Sequence, residues 1–167
     1  MGKLTGKRFA LLLTGPASAA KLRVREAVED ELTGAGAAVD RVQGSGLDAS
    51  SYDGLLALGG RPDTTDPIIA FVRAFFAQGK PVAVLGEAVH LLLDAGVLRN
   101  RTVSCTESLR PQILDAGANC VAYPVVADHG LVTGASADDA QAFATRTITE
   151  FALAPENPHD PRSTAPP

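Results

Sequence analysis

Short apolar runs alternate along this chain with longer segments in which apolar residues recur at the spacing of one helix face. Such runs predict strands buried on both faces, and the segments of helical period predict amphipathic helices. The predicted strands are Phe9–Thr14, Ala38–Val42, Leu55–Leu58, Pro81–Leu85, Val103–Cys105, Val121–Ala127 and Leu131–Thr133. The predicted helices are Ala17–Thr33, Pro67–Gln78, Glu87–Ala95, Ser108–Asp115 and Ala137–Leu153. Strands that alternate with helices predict a mainly parallel sheet inside a three-layer α/β/α sandwich.

The last two predicted strands flank the turn Asp128-His129-Gly130, which predicts a β-hairpin in the C-terminal half. The 167 residues are enough for one domain, which we expect to span residues 1–154. The remaining residues, 155–167, read PENPHDPRSTAPP. This Pro-rich, polar composition is typical of a disordered tail.

Charge and composition exclude several classes of function. Lys and Arg total 15 against 19 Asp and Glu, and no basic patch is visible, so nucleic-acid binding is not expected. The apolar run Phe9–Leu13 is too short for a signal peptide, and no window approaches the roughly 20 apolar residues of a membrane span. With 2 Cys and 3 His, neither a disulfide framework nor a zinc finger is expected. These features predict a cytoplasmic protein with reduced thiols and without metal or cofactor.

In parallel sheets of this kind, ligands gather at the carboxyl ends of the strands. Candidate functional residues are therefore expected where four predicted strands end: Thr14–Ser18, Gly59–Asp63, Leu85–Glu87 and Ser104–Glu107.

The amino-acid sequences of several stretches, and the order in which they occur, resemble those of the ThiJ/PfpI superfamily, the small relatives of class I glutamine amidotransferases. These stretches are YDGLLALGG, IIAFVRAFFAQGKPVAVLG, LLLDAGVLRNRTVSC, LRPQILDAGANCV and VVADHGLVTG, and they run in unbroken order from Tyr52 to Gly134. The resemblance implies a flavodoxin-like fold and a homodimer. It also implies an active-site cysteine on a tight strand-to-helix elbow, with a Glu from the first loop hydrogen-bonded to its sulfur.

This chain lacks the residues that the family uses in its active site. The family cysteine falls on Gly86, and the histidine that follows it falls on Glu87. The first loop reads TGPASAAK, with Ser18 or Ala19 where the Glu is expected. A glycine supplies no nucleophile, although it suits a sharp elbow because it reaches positive φ at little steric cost. Protease or deglycase chemistry through the elbow cysteine is therefore not expected.

The remaining candidates are two catalytic residues, Glu87 and Cys105, and six substrate-binding residues: Ser18, Gly59, Gly60, Arg61, Gly86 and His90. The phrase GGR matches family usage, in which the glycine amides face an oxyanion. Glu87 is either a proton carrier or a helix-capping acid. Cys105 is either a relocated pocket thiol facing Gly86 or a small buried hydrophobe.

Arg61 also has two interpretations: it either binds an anion or pairs with a neighbouring Asp. Cys120 is expected in the core. Spacing allows Glu87, His90 and Asp94 to share one helix face.

Two functions fit these observations. The first is a small-molecule hydratase, lyase or hydrolase that works by acid/base chemistry at the elbow pocket, with Glu87 as the proton carrier. The alternative is a pseudoenzyme that keeps the pocket as a ligand-binding or regulatory protein.

Overall fold

The computed structural model describes residues 2–15, 19–43, 47–59 and 65–153. The tail predicted for residues 155–167 lies outside this part of the chain. The eight strands described are β1 (Arg8–Thr14), β2 (Ala38–Val42), β3 (Gly54–Gly59), β4 (Val82–Gly86), β5 (Thr102–Ser104), β6 (Asn119–Val121), β7 (Val125–Asp128) and β8 (Leu131–Gly134). The five α-helices described are α1 (Ala19–Gly34), α2 (Asp66–Ala77), α3 (His90–Ala95), α4 (Arg110–Asp115) and α5 (Ala140–Leu153).

The main sheet has six strands in the order β2-β1-β3-β4-β8-β7. All neighbours pair in parallel except β7 and β8, which form the predicted antiparallel hairpin. From β1 the chain moves first to one side of the sheet and then to the other, so the topological switch point lies between β1 and β3. The predicted flavodoxin-like α/β fold is confirmed.

Two apolar clusters cover the two faces of the sheet, as the continuous apolar strands require. One contains Val28 and Leu32 of α1 with Phe143 and Phe151 of α5. The other is formed by α2, α3 and α4 against the opposite face and includes Phe75. The sheet therefore lies between two layers of helices, which is the three-layer arrangement. Within the described residues, no helix is long and apolar enough to cross a membrane.

The prediction of one strand over Val121–Ala127 is wrong. Strand β6 ends at Val121 and β7 begins at Val125, with the exposed segment Ala122–Pro124 between them. Pro124 has no N–H to donate to a strand ladder, which favours a break at this point. Strand β6 pairs in parallel with β5 in a separate two-stranded sheet.

Asp128 ties this small sheet to the hairpin. Its Oδ2 accepts a hydrogen bond of 2.8 Å from the backbone N–H of Thr102, and its Oδ1 lies 2.5 Å from His129 Nδ1. Burial alone raises the pKa of Asp128, but the hydrogen bonds from Thr102 and His129 outweigh it and hold the pKa below its ordinary value of 3.8.

A carboxyl group whose pKa is lowered by folding stabilises the protein above its unfolded-state pKa and loses that effect as pH falls through its folded-state pKa. We therefore expect Asp128→Asn to lower the free energy of unfolding near neutral pH, with a difference from the wild type that shrinks in acid below about pH 4. Urea unfolding of both proteins across this range measures it. A difference that is independent of pH would contradict the role of the charged carboxylate.

Candidate functional site

Thr14, Gly59 and Gly86 form a row at the carboxyl edge of the main sheet. They are the last residues of β1, β3 and β4. The strand register pairs Thr14 with Gly59 and Gly59 with Gly86. Neighbouring strands in a sheet are about 4.8 Å apart, so these three residues lie close together at the switch point. We call this row of three strand ends the ledge. Three of the four junctions predicted to carry chemistry therefore begin on the adjacent strands β1, β3 and β4.

Gly86 forms a sharp elbow between β4 and the helical segment that follows. Its backbone angles are φ 73° and ψ −143°, a conformation that L-residues rarely adopt. A β-carbon at this position would meet, among the described atoms, the carbonyl oxygen of Gly59 at 3.2 Å. Among the described atoms this tight contact with the Gly59 backbone is the one that a β-carbon at Gly86 would make within 4 Å.

Gly59 is more tightly placed than Gly86. Its φ is +126°, and a β-carbon would lie 2.3 Å from the carbonyl oxygen of Thr14. The Thr14 side chain is buried, and its hydroxyl donates to the carbonyl of Leu58 at 3.3 Å. Gly59 is therefore required for the close approach of β1 and β3, whereas Gly86 is required for its backbone conformation.

The elbow leads into a 3₁₀ turn, Glu87–Val89, and then into α3. Glu87 is exposed, and its carboxylate makes no hydrogen bond or ion pair with any described residue. His90 is buried, whereas Asp94 is exposed, so the prediction that these three share one helix face is wrong. The apolar residues on both sides of His90 are buried with it, which leaves this short segment with a wide buried face. The assignment of His90 to the ligand site stays a prediction.

Cys105 is not a free thiol in this structure. Its sulfur forms a disulfide with Cys120, across Cα atoms 5.7 Å apart. Both residues are buried in the apolar cluster under α2 and α3. The expectation that both thiols are reduced, and that Cys105 offers a thiolate to the pocket, is therefore wrong for this structure. A sulfur committed to a disulfide is neither a nucleophile nor a titrating group.

Three of the predicted binding residues, Ser18, Gly60 and Arg61, lie outside the described residues. No group of three or more His, Cys, Asp or Glu that could hold a metal ion occurs within the described part of the chain.

Lys21 is a residue of this edge that the sequence analysis missed. Its Nζ donates a hydrogen bond of 2.7 Å to the carbonyl oxygen of Gly15. Its Cδ lies 3.3 Å from where a β-carbon of Gly59 would stand. Burial lowers the pKa of the Lys21 ammonium group from its ordinary value of 10.5. The available sequence signal was a cation in the first turn of α1, where the helix dipole disfavours positive charge.

Solved structures of the same fold superpose on most of the chain. DJ-1beta of Drosophila melanogaster gives a TM-score of 0.70 at 20% identity, covering 87% of this chain and 91% of that one. A two-domain protein of Anabaena variabilis, with DJ-1/ThiJ/PfpI-like and ferritin-like domains, gives 0.75 at 17% identity and covers 94% of this chain and 52% of that one. Identities this low show a shared fold.

Curated relatives are more similar in sequence. A putative cysteine protease of Bacillus subtilis, YraA, is 35% identical over 103 residues, which are 59% of this chain and 61% of that protein. The deglycase TK1284 of Thermococcus kodakarensis is 31% identical over 101 residues, 58% of this chain and 61% of that protein. The matched segment thus spans about 61% of the length of both relatives.

The match extends further when the chain is compared with a family as a whole. The model of the DJ-1/PfpI family matches residues 17–150, from the loop after β1 to the last helix. That range includes β3 and β4 with their terminal glycines, and therefore most of the ledge and the elbow. This chain belongs to the DJ-1/PfpI family.

Proposed function

We propose that this protein binds a small molecule at the elbow of β4 and does not use a cysteine nucleophile. The observation that carries the proposal is the elbow itself, which keeps φ 73° at Gly86 while presenting no side chain. Binding at this edge needs only space and backbone groups, whereas covalent catalysis also needs a nucleophile. The pseudoenzyme hypothesis is therefore the better supported of the two.

The neighbouring side chains support the same proposal. The sulfur of Cys105, one of the two candidate catalytic groups, is committed to its disulfide with Cys120. The other candidate, Glu87, is exposed, and no described residue orients its carboxylate. Catalytic acids and bases are held in place by neighbouring groups, and their environments shift their pKa values to suit the reaction. Within the described residues, no group holds the Glu87 carboxylate in place.

Acid/base catalysis by Glu87 is the second candidate function. It is favoured by one observation: Glu87 directly follows the elbow, so its carboxylate starts from the carboxyl edge of the sheet. In that case the protein would be a hydratase, lyase or hydrolase, and Glu87 would move a proton to or from the ligand.

The variant Glu87→Gln separates the two functions. If the protein only binds its ligand, the substitution leaves ligand affinity and melting temperature nearly unchanged. If Glu87 is the proton carrier, turnover of a carbonyl, amide or ester substrate falls by about a hundredfold or more at an unchanged melting temperature. Glu107→Gln is the control, because Glu107 is also an exposed acid after a strand, in the turn before α4, where it pairs with Arg110. A fall in turnover that is specific to Glu87→Gln would contradict the proposal.

The position of the ligand is tested with an introduced thiol. Gly86→Cys places a thiol at the elbow, next to the Gly59 carbonyl, and both native cysteines are held in their disulfide. We expect iodoacetamide to label one thiol in this variant under non-reducing conditions. Compounds that raise the melting temperature of the wild type should slow that labelling. Labelling that is unaffected by every such compound would place the ligand elsewhere.

A further inference from the structure

A cavity of about 240 Å³ lies at the amino edge of the main sheet, where β4 and β8 begin, and therefore at the end of β4 opposite to the elbow. Its described walls are the beginnings of these two strands, the last turns of α2 and α5, the turn between β7 and β8, and Arg101 just before β5. Pockets for drug-sized ligands begin at roughly 300 Å³. The cavity therefore suits a molecule smaller than these.

Arg101 lines the cavity and carries a positive charge that the fold holds in position. Its Nη1 donates hydrogen bonds to the backbone carbonyls of Asp128 at 3.1 Å and His129 at 3.3 Å. Its Cζ lies 5.7 Å from the centre of the Phe76 ring. Carbonyl groups and an aromatic face orient a guanidinium group without neutralising it. Within the described part of the chain Nε and Nη2 have no acceptor, which leaves the donors that a forked pair with a carboxylate needs.

Glu150 supplies a carboxylate to the same cavity. It is in the last turn of α5, its side chain is 18% exposed, and its Oε1 lies 3.6 Å from Nη2 of Arg146, one turn earlier on the helix. A helix C-terminus favours a cation, and this turn already accepts a hydrogen bond of 3.0 Å from the ammonium group of Lys7 at the carbonyl of Phe151. The ammonium group of a ligand is therefore favoured here by Glu150 and by the helix end together.

Arg101 and Glu150 line one cavity but form no ion pair with each other, since each takes the other partners given above. A molecule with both a carboxylate and an ammonium group can contact both residues. A simple acid would instead be repelled by Glu150, and a simple amine by Arg101. Much of the remaining described lining is apolar and consists of Phe76, Pro81, Val82, Leu131 and Leu153.

We propose that this cavity binds a free amino acid with an apolar side chain, in its zwitterionic form. In this arrangement the carboxylate of the ligand lies against the guanidinium group of Arg101 and its ammonium group against Glu150. Its side chain packs on the apolar residues of α2 and of the strand beginnings. Because the cavity and the elbow are at opposite ends of β4, this inference is independent of the function proposed for the elbow.

The test follows the backbone amides of glycines by NMR, because glycines mark both edges of the sheet. Gly79 and Gly130 line the cavity, whereas Gly59 and Gly86 are on the ledge. Leucine is titrated into the wild type beside isocaproate and isoamylamine, which each lack one of its charges, and phenylalanine beside hydrocinnamate and phenethylamine. We expect at least one amino acid to shift Gly79 and Gly130, leave Gly59 and Gly86 unchanged, and bind about tenfold more tightly than its matched acid and amine.

Two variants test the two charges separately. Arg101→Gln should lower the affinity for the amino acid about tenfold, while the affinity for the matched amine stays the same or rises. Glu150→Gln should lower the affinity for the amino acid by a similar factor, while the affinity for the matched acid stays the same or rises. The controls are Arg99→Gln and Glu26→Gln, because both are exposed charged residues outside the described lining of the cavity.

The opposite responses of acid and amine separate a binding role from a structural one. An equal loss of affinity for amino acid, acid and amine in either variant would overturn the assignment of the charges, as would an acid or amine that binds the wild type as tightly as its amino acid. Shifts confined to Gly59 and Gly86, or no binding of either amino acid, would overturn the site and leave the function proposed for the elbow in place. The comparison of ligands on the wild type decides the inference even if a variant fails to fold.

Discussion

Reduction of the disulfide between Cys105 and Cys120 is expected to lower the free energy of unfolding by about 3 kcal/mol. The two cysteines are 15 residues apart in sequence. Cross-linking a loop of that length removes entropy from the unfolded chain, and this loss is what stabilises the fold. The segment between them contains α4, so the cross-link fastens that helix beside the β5–β6 sheet. Urea unfolding with and without a reductant measures the difference.

The double variant Cys105→Ala/Cys120→Ala is the control for this experiment. It loses the cross-link together with some buried surface, so its stability should be at or below that of the reduced wild type. A reductant should leave its unfolding curve unchanged. Titration of thiols in the denatured, unreduced wild type provides an independent measure. Two free thiols per chain in that titration, or a wild-type midpoint that does not respond to reductant, would contradict the disulfide.

The sheet and its helices were predictable because their signals are local. A strand covered on both faces requires an unbroken apolar run, and a helix on one face requires an apolar stripe. The aromatic stripe of α2 illustrates this, since Phe71 and Phe75 are buried where their spacing placed them. Proline and glycine marked the ends of elements in the same way. These features depend on residues that are neighbours in the chain.

The disulfide was not predictable because it depends on distance in space. Cys105 follows β5 and Cys120 lies in β6, and their sulfurs meet only because those two strands pair in parallel. The sequence analysis began one hairpin strand at Val121 and did not predict β6 as a separate strand. The same applies to Lys21, whose stem reaches Gly59 across the switch point. Both contacts are set by the order of strands in the sheet.

The candidate site combines both kinds of information. Gly86 was recognised from the residues around it, and its positive φ agrees with a tight elbow. What that elbow does depends on residues that converge from other strands. Within the described structure, those residues supply one ammonium group and two bare glycines, and no free thiol. Among the described residues this set lacks a cysteine nucleophile, which supports the proposed binding function.

Gly59→Ala is expected to be the most damaging single substitution in the candidate site. Its φ of +126° disfavours any L-residue, and the added methyl group would meet the backbone oxygen of Thr14 at 2.3 Å. Rotation of a side chain relieves no part of that contact, so β1 and β3 would have to separate where they pair. Backbone strain and overpacking together cost about 3–5 kcal/mol. Urea unfolding measures the loss, and ligand binding at the proposed site should be lost with it.

Two other glycines separate strain from overpacking. Gly79→Ala imposes a φ of +69° with no described atom within 4 Å of the new β-carbon, whereas Gly86→Ala imposes a φ of +73° and a tight contact with the carbonyl oxygen of Gly59 at 3.2 Å. Gly79→Ala should cost about 1–2 kcal/mol, which is the strain alone, and Gly86→Ala slightly more because of that contact. The excess for Gly59→Ala then measures how closely β1 and β3 approach at the switch point. Equal losses at all three positions would mean that this approach is looser than 2.3 Å implies, and that Lys21 is not held against a crowded ledge.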